Sequence, residues 1–277
     1  MNFFIFCLYM GIIGHFRITA LPFQASSEIQ SLKHRIVGGE DAPKNYAPHM
    51  AALVVGEILT NLMCGGSIVS KRHILTAAHC IDPFVTWQGQ LLETFRGAVG
   101  TNQWETANYY VEFSHFTNHP NWHSSFLKND VGVLFLVEEL RLNDNVAIVP
   151  LNFDWVDEGE NSFVTGWGRI WAWGPIPDKL QLLYVNTISG QDCEDKVREA
   201  AIEWGWAPPI DPNIEICTLH SPGYGMCNGD SGSALVSVKT GKQSGIVSWG
   251  FACALGAPDV FTRISGVKDF LKSIIGD

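Results

Sequence analysis

From Ile36 onward the chain alternates short apolar runs with clusters of turn residues. Residues 50–55, 67–70, 109–113, 131–137, 163–165, 182–188, 234–238 and 244–249 are each of strand length. Many such runs with few helical stretches predict an all-β barrel or sandwich. The polar segment 143–161 divides the strands into two halves. Two helices stand out. Residues 192–201 hold good helix formers and charges, with Ser189 or Asp192 as N-cap. Near the C-terminus Val267, Phe270, Leu271, Ile274 and Ile275 recur at helical spacing, with Lys268, Asp269 and Lys272 between them. That pattern is an amphipathic helix laying one face on a core. No internal repeat or low-complexity tract is present.

Ahead of these strands the pattern changes. Residues 3–13 form one apolar run of 11, whereas a membrane span needs about 20. The run reads as a secretory signal over residues 1–20, cut after Ala20 or as late as Ala25, although it lacks an early Lys or Arg. A short N-terminal anchor is the alternative. No later segment is long and apolar enough to span a bilayer, so no membrane partner is expected and the protein is expected to be secreted. Residues 26–35 are polar and without periodicity.

Composition narrows the class. The 277 residues are 46% hydrophobic and 17% charged, enough for one large all-β unit or two small domains. The net charge of −10, with no basic cluster, argues against a nucleic-acid partner. Of seven cysteines, Cys7 falls in the signal. Cys64, Cys80, Cys193, Cys217, Cys227 and Cys253 remain, an even set suited to three disulfides in an oxidising compartment. Six cysteines allow about 15 pairings, so their spacing leaves the connectivity open. They lack the paired Cys or His clusters of a structural zinc site. His115, His119 and His123 recur every fourth position, but Pro120 would interrupt a helix there. Segment 100–108 offers only Glu105 as an acid, too few oxygen ligands for calcium. No metal and no cofactor are expected, and no Asn-X-Ser/Thr glycosylation acceptor occurs.

Three local sequences carry chemistry. Leu75-Thr76-Ala77-Ala78-His79-Cys80 ends a β-like run on a histidine beside a cysteine. Asn129-Asp130-Val131-Gly132-Val133-Leu134 sets an acid at the head of a very apolar strand. Cys227-Asn228-Gly229-Asp230-Ser231-Gly232-Ser233 puts a serine in a glycine-rich turn. Acyl transfer at neutral pH needs a hydroxyl nucleophile, a base beside it, and an acid that orients the base. His, Asp and Ser in that chain order are one of the known arrangements. Each piece alone is commonplace; together, in an all-β secreted chain, they are not.

On these residues the chain resembles the chymotrypsin-like serine proteases, and in detail the insect chymotrypsins. The resemblance runs from Ile36 to the C-terminus. Arg35-Ile36-Val37-Gly38-Gly39 resembles the family's activation junction, and Cys64-Gly65-Gly66-Ser67 the strand facing the active-site histidine. Gly166-Trp167-Gly168 resembles the opening of the second half, Ser248-Trp249-Gly250 the strand that pairs with substrate backbone, and Pro258-Asp259-Val260-Phe261-Thr262-Arg263 the last strands. The resemblance implies two six-stranded antiparallel β-barrels with the triad His79, Asp130 and Ser231 between them. It implies disulfides Cys64–Cys80, Cys193–Cys217 and Cys227–Cys253, and an oxyanion hole from the N–H groups of Gly229 and Ser231. It further implies a propeptide over 21–35 cut after Arg35 by a trypsin-like protease, a domain over 36–277, and pairing of the freed Ile36 amine with Asp230. Protein or peptide substrates and protein protease inhibitors are the expected partners.

By the same resemblance Gly225 forms the pocket floor where trypsins carry an aspartate, and Gly250 leaves the entrance open. Large apolar side chains should therefore enter. Asp259 falls at a wall position, and crustacean collagenolytic relatives resemble this chain in pairing a floor glycine with a wall acid, so basic side chains are expected as well. Trp171 and Trp173 would border the leaving-group side, Trp204 and Trp206 the acyl side. One departure is plain: family members often have Gly-Pro where this chain has Ser233-Ala234, a Cβ and a hydroxyl added beside the nucleophile turn. A digestive role is expected; a regulatory or venom protease with a narrow target, or a catalytically silent binding homologue, are the alternatives.

Overall fold

The computed structural model describes residues 36–276 other than Ile58 and Ala252. The expected signal, the propeptide and Arg35 lie outside the described residues.

Thirteen strands are present among the described residues: β1 (Glu40–Asp41), β2 (Met50–Val55), β3 (Asn61–Ser70), β4 (His73–Thr76), β5 (Phe95–Val99), β6 (Tyr110–Asn118), β7 (Gly132–Leu136), β8 (Asn161–Gly166), β9 (Gln181–Ile188), β10 (Glu215–Leu219), β11 (Ala234–Ser237), β12 (Gln243–Gly250) and β13 (Asp259–Arg263). Strands β2-β3-β4-β7-β6-β5 close into one antiparallel barrel. The ring β8-β9-β10-β13-β12-β11 closes a second, because β8 pairs with both β9 and β11; β1 adds to the outside of β9. The expected pair of six-stranded barrels is the architecture observed.

Closure explains the sequence pattern. A closed barrel leaves no free edge, and its inner face fills with the side chains that the apolar runs supply. Leu53, Ile68, Ile74, Leu75 and Leu134 are fully buried in the first barrel, and Val164, Leu235 and Phe261 in the second. Segment 109–113 was expected as a short strand, yet β6 continues to Asn118. A register shift between Phe113 and His115 breaks the alternation while pairing with β7 persists. His115 thus sits in a strand, its ring stacked on Phe135 at 3.9 Å between centroids.

The first helix, α1 (Gly190–Trp204), is longer than the expected 192–201. The Ser189 side chain accepts the N–H of Asp192 as its cap, and the helix stops at Gly205, whose φ is +103°. At the C-terminus a short turn, Ile264–Val267, leads into α2 (Lys268–Ile275), which buries Leu271. No helix among the described residues is long and apolar enough to cross a membrane.

Disulfides join Cys64–Cys80, Cys193–Cys217 and Cys227–Cys253, as the resemblance implied. They close loops of 16, 24 and 26 residues, for which chain entropy predicts about 3 kcal/mol each. The first ties β3 to the turn that carries His79, and the third ties the serine-bearing turn to the segment before β13.

Candidate active site

His79 lies in a tight turn, Ala78–Cys80, directly after β4. Asp130 lies two residues before β7, the antiparallel partner of β4. That pairing brings the two together from positions 51 residues apart. The His79 backbone N–H donates to Asp130 Oδ1 at 3.0 Å, and its Nδ1 stands 2.7 Å from Oδ2. A carboxylate only accepts, so Nδ1 carries the proton and Nε2 is left as the basic nitrogen.

Asp130 is fully buried and has a third donor. The Ser248 hydroxyl, from β12 of the other barrel, reaches Oδ2 at 2.6 Å. The Thr262 hydroxyl, from β13, donates to the Asp130 carbonyl at 2.8 Å. Burial opposes protonation of His79, but the hydrogen bond and charge of Asp130, with Asp82 behind, outweigh it, and its pKa is raised above 6.5.

Ser231 comes from the turn between Cys227 and β11. Its carbonyl accepts the Gly65 N–H from β3 at 2.8 Å, tying the turn to the first barrel. Gly232 follows with φ +83°, and a Cβ there would fall 2.1 Å from Thr76 Oγ1 and 2.3 Å from the Gly65 carbonyl. Only glycine fits this approach of two backbones. Gly229, two residues before the serine, has φ +103°.

Ser231 also lines a cavity of about 240 Å³ whose other walls include Met226, Val247, Ser248, Trp249 and Asp259. Of the expected pocket residues, Ser248, Trp249, Gly250 and Asp259 line it and Gly225 does not. Asp259 is buried, and its Oδ2 accepts the Met226 N–H at 3.1 Å. A Cβ on Gly225 would lie 2.9 Å from Oδ2, and one on Gly250 3.3 Å from Oδ1. The acid therefore stands between the two glycines expected at floor and entrance. Burial, opposed by the Met226 N–H and reinforced by the charge of Asp230, pushes its pKa up from 3.8 to about 7.

Asp230 is fully buried beside the turn, accepting the N–H groups of Gly168 at 2.8 Å and Cys227 at 3.0 Å. Burial outweighs these two donors and raises its pKa to about 6. Ile36 is fully buried in the second barrel's core with Val164, Leu183 and Met226. Val37 bridges to Gly225, whose N–H donates to the Val37 carbonyl at 3.1 Å.

Ser233, the departure from the family pattern, is accommodated. Its hydroxyl occupies space left by Gly65 and Gly166, 2.2 Å and 3.3 Å from where their Cβ atoms would be. It is buried with no hydrogen-bond partner within the described residues.

The four tryptophans divide. The Trp204 ring packs 5.8 Å from Phe251, which lines the cavity, and Trp206 packs 6.1 Å from Phe126. Trp171 and Trp173 lie in a separate loop, where Trp173 is 94% exposed. Sequence reasoning missed Glu215 and Lys128, which meet behind Trp249. A lone acid inside an apolar run next to Cys217 was the available signal. A wider cleft of about 590 Å³, lined by Asp41, Lys44, Asn102 and Lys179 among others, contains none of the triad residues. Cys64, Cys80 and His79 bring three possible metal-ligand atoms within 4.8 Å, but both sulfurs belong to the disulfide.

Two closed antiparallel barrels, a histidine–aspartate hydrogen bond, and a Ser248 that both bonds that aspartate and lines one cavity with Ser231 are the arrangement of a serine endopeptidase. The trypsin family model matches residues 36–271, and the chain belongs to that family. Chymotrypsin-2 from Vespa crabro is 36% identical over 238 residues, covering 86% of this chain and 98% of that protein. Brachyurin from Leptuca pugilator is 34% identical over 245 residues (87% and 99%), and chymotrypsin-C from Rattus norvegicus 31% over 255 (88% and 90%).

Proposed function

We propose that the chain is a secreted zymogen of a chymotrypsin-like endopeptidase, with Ser231 as nucleophile, His79 as general base and acid, and Asp130 orienting the imidazole. The observation that carries this is the hydrogen-bonded line from His79 through Asp130 to Ser248, which lines one cavity with Ser231. Ser231 attacks the scissile carbonyl while His79 Nε2 takes its proton and later returns it to the leaving amine. Asp130 holds the tautomer and stabilises the imidazolium; these are the roles the general triad template describes. The N–H groups of Gly229 and Ser231 receive the developing oxyanion, where losing one donor costs roughly 3–4 kcal/mol.

The pocket takes Phe, Tyr or Leu by burial, worth roughly 2–3 kcal/mol, and admits Lys or Arg through Asp259. Activation follows cleavage after Arg35 by a trypsin-like protease. Burial of Ile36 and of Asp230 supports an inward turn of the new terminus. Three disulfides suit an extracellular site, and a digestive role fits an enzyme with an open, mixed pocket. Protein protease inhibitors would occupy the same cleft as substrate.

The test is labelling by a serine-directed fluorophosphonate after trypsin treatment, with a peptide cleavage profile. Labelling lost in Ser231→Ala and in untreated protein is expected. Labelling that survives Ser231→Ala would overturn the assignment.

A further inference from the structure

One buried charge has no part in the chemistry above. Glu215 opens β10 and is 3% exposed. Both its oxygens lie 2.6 Å from the Lys128 ammonium. Oε2 also accepts the Asp211 backbone N–H at 2.7 Å, and Oε1 the Trp249 indole N–H at 3.1 Å. The ammonium stands 5.7 Å from the centre of the Trp249 ring, within cation–π reach. One carboxylate therefore fixes both the edge of the indole and the cation against it.

Lys128 comes from the connection between β6 and β7 of the other barrel. It closes a hairpin over 123–128, in which His123 and Lys128 donate to each other's carbonyls at 3.0 and 3.3 Å. Leu127 and Asn129, on either side of it, have φ of +50° and +53°, a region that side-chain-bearing residues seldom adopt. Such backbone persists where surroundings over-determine it; the Glu215 contact is one anchor, and the Asn129 side-chain amide donating to the Asn121 carbonyl at 3.0 Å is another. Two residues further on is Asp130, whose carbonyl is held by Thr262, the register partner of Glu215 across β10 and β13. The hairpin and the Asp130 segment are thus fastened to neighbouring points of the second barrel. Buried ion pairs contribute little net stability against well-packed apolar residues; what this one supplies is geometry.

We propose that the Glu215–Lys128 pair is a positioning device for this peptidase: it fixes Trp249 and the 123–128 hairpin as adjoining walls of the cleft that receives residues preceding the scissile bond. The inference rests on the endopeptidase reading above. Glu215 touches no reacting atom and acts through Trp249 and the hairpin.

The experiment compares activated wild type with Glu215→Gln, Lys128→Met and Lys128→Arg, counting active sites by fluorophosphonate. For each, kcat and KM are measured on an N-acylated tetrapeptide anilide and on an N-acetyl single-residue ester with the same residue before the cut. Glu215→Gln and Lys128→Met should raise the tetrapeptide KM about tenfold with kcat within about threefold, and change the ester KM less than about twofold. Lys128→Arg, which keeps the charge and can still pair with both carboxylate oxygens, should raise the tetrapeptide KM less than Lys128→Met does and leave the ester KM unchanged. Equal shifts on the two substrates, or a lowered melting temperature with unchanged KM, overturns the proposal. Should Glu215→Gln fail to fold, Lys128→Met decides, since Lys128 lies in a hairpin outside both barrels. A wild type that takes no label overturns the endopeptidase reading instead, and this inference with it.

Discussion

If Asp259 faces the bound side chain as proposed, side-chain preference should depend on pH. A rise in the Asp259 pKa from 3.8 to about 7 places on the order of 4 kcal/mol against its charged form in the empty pocket. A bound Lys relieves that penalty. At about 4 Å and an effective dielectric of 20, an ion pair gains about 4 kcal/mol, most of it offset by desolvating the ammonium. A net gain of about 1–2 kcal/mol remains, or roughly 5- to 30-fold in kcat/KM. Phe or Leu gains nothing from the charge and loses nothing when Asp259 is protonated. The ratio of kcat/KM for Lys over Phe peptides should therefore rise about tenfold between pH 5.5 and 8.5. Because kcat/KM reports groups of the free enzyme, its midpoint should lie near 7.

Taking a ratio matters here. His79, its pKa raised by Asp130, switches activity on as pH rises, but it acts equally on both substrates and cancels. Asp230, at about 6, adds like charge near Asp259; once paired with a terminal amine it would repel less and move the midpoint down. Asp259→Asn should flatten the ratio at its acid value. A flat wild-type ratio, or an unchanged slope in Asp259→Asn, refutes the reasoning. The same burial has a signature in stability. Between about pH 4 and 7 the folded chain holds a proton that the unfolded chain has released, so stability from this group falls as pH rises. Asp259→Asn should shrink that slope in a melting series, leaving below about pH 6 the part that Asp230 contributes.

Arg35→Gln should yield secreted protein that trypsin cannot activate, read by peptide hydrolysis. In the activated wild type, the terminal amine's ordinary pKa of about 8 should be raised on pairing with Asp230. Its stabilisation is then present below that value and lost as pH climbs through the raised one, so activity should collapse at strongly alkaline pH. Trp204→Ala and Trp206→Ala should weaken cleavage of long peptides several-fold more than short ones, because the Trp204 ring packs on Phe251, a wall of the cavity, and the Trp206 ring on Phe126; equal effects would make them mere cover. Ser233→Ala should stabilise by about 1 kcal/mol, since a buried unpartnered hydroxyl costs about 1–3 kcal/mol. For a chain of this size that is about 2–4 °C in melting temperature, and a fall would mean the hydroxyl is bonded.

What the sequence made legible follows from which constraints are local. Apolar runs such as 50–55 and 131–137 lie on barrel walls, where burial forces the pattern, and they stood out at once. β5 and β10 did not. Gly97 interrupts β5 because a Cβ there would crowd Val111 and Phe113 at 3.0 and 3.2 Å, and Glu215 puts a charge at the head of β10. In both, tertiary contacts override the local signal. The triad motifs were legible because nucleophile, base and acid each need a distinctive backbone setting. Their mutual geometry was not, since the β4–β7 pairing joins residues 51 apart and Ser248 arrives from 118 residues away.

The same division separates Asp259, which lines the pocket, from Glu215, which bonds the pocket residue Trp249. Asp259 could be reached by resemblance, because its neighbours in the chain repeat a known pattern. Glu215 could not, because its meaning lies in Lys128, 87 residues distant, and in an indole 34 residues the other way. Neither partner marks itself: a lysine in a polar hairpin is ordinary, and Trp249 is already explained by its strand. Only the fold makes them one unit. Asp130 shows the limit from the other side, since the motif announced the acid but not the clamp of Thr262 and Ser248 that holds it. Residues that perform chemistry are typed by local sequence, whereas those that hold them in place are typed by whatever the chain brings alongside.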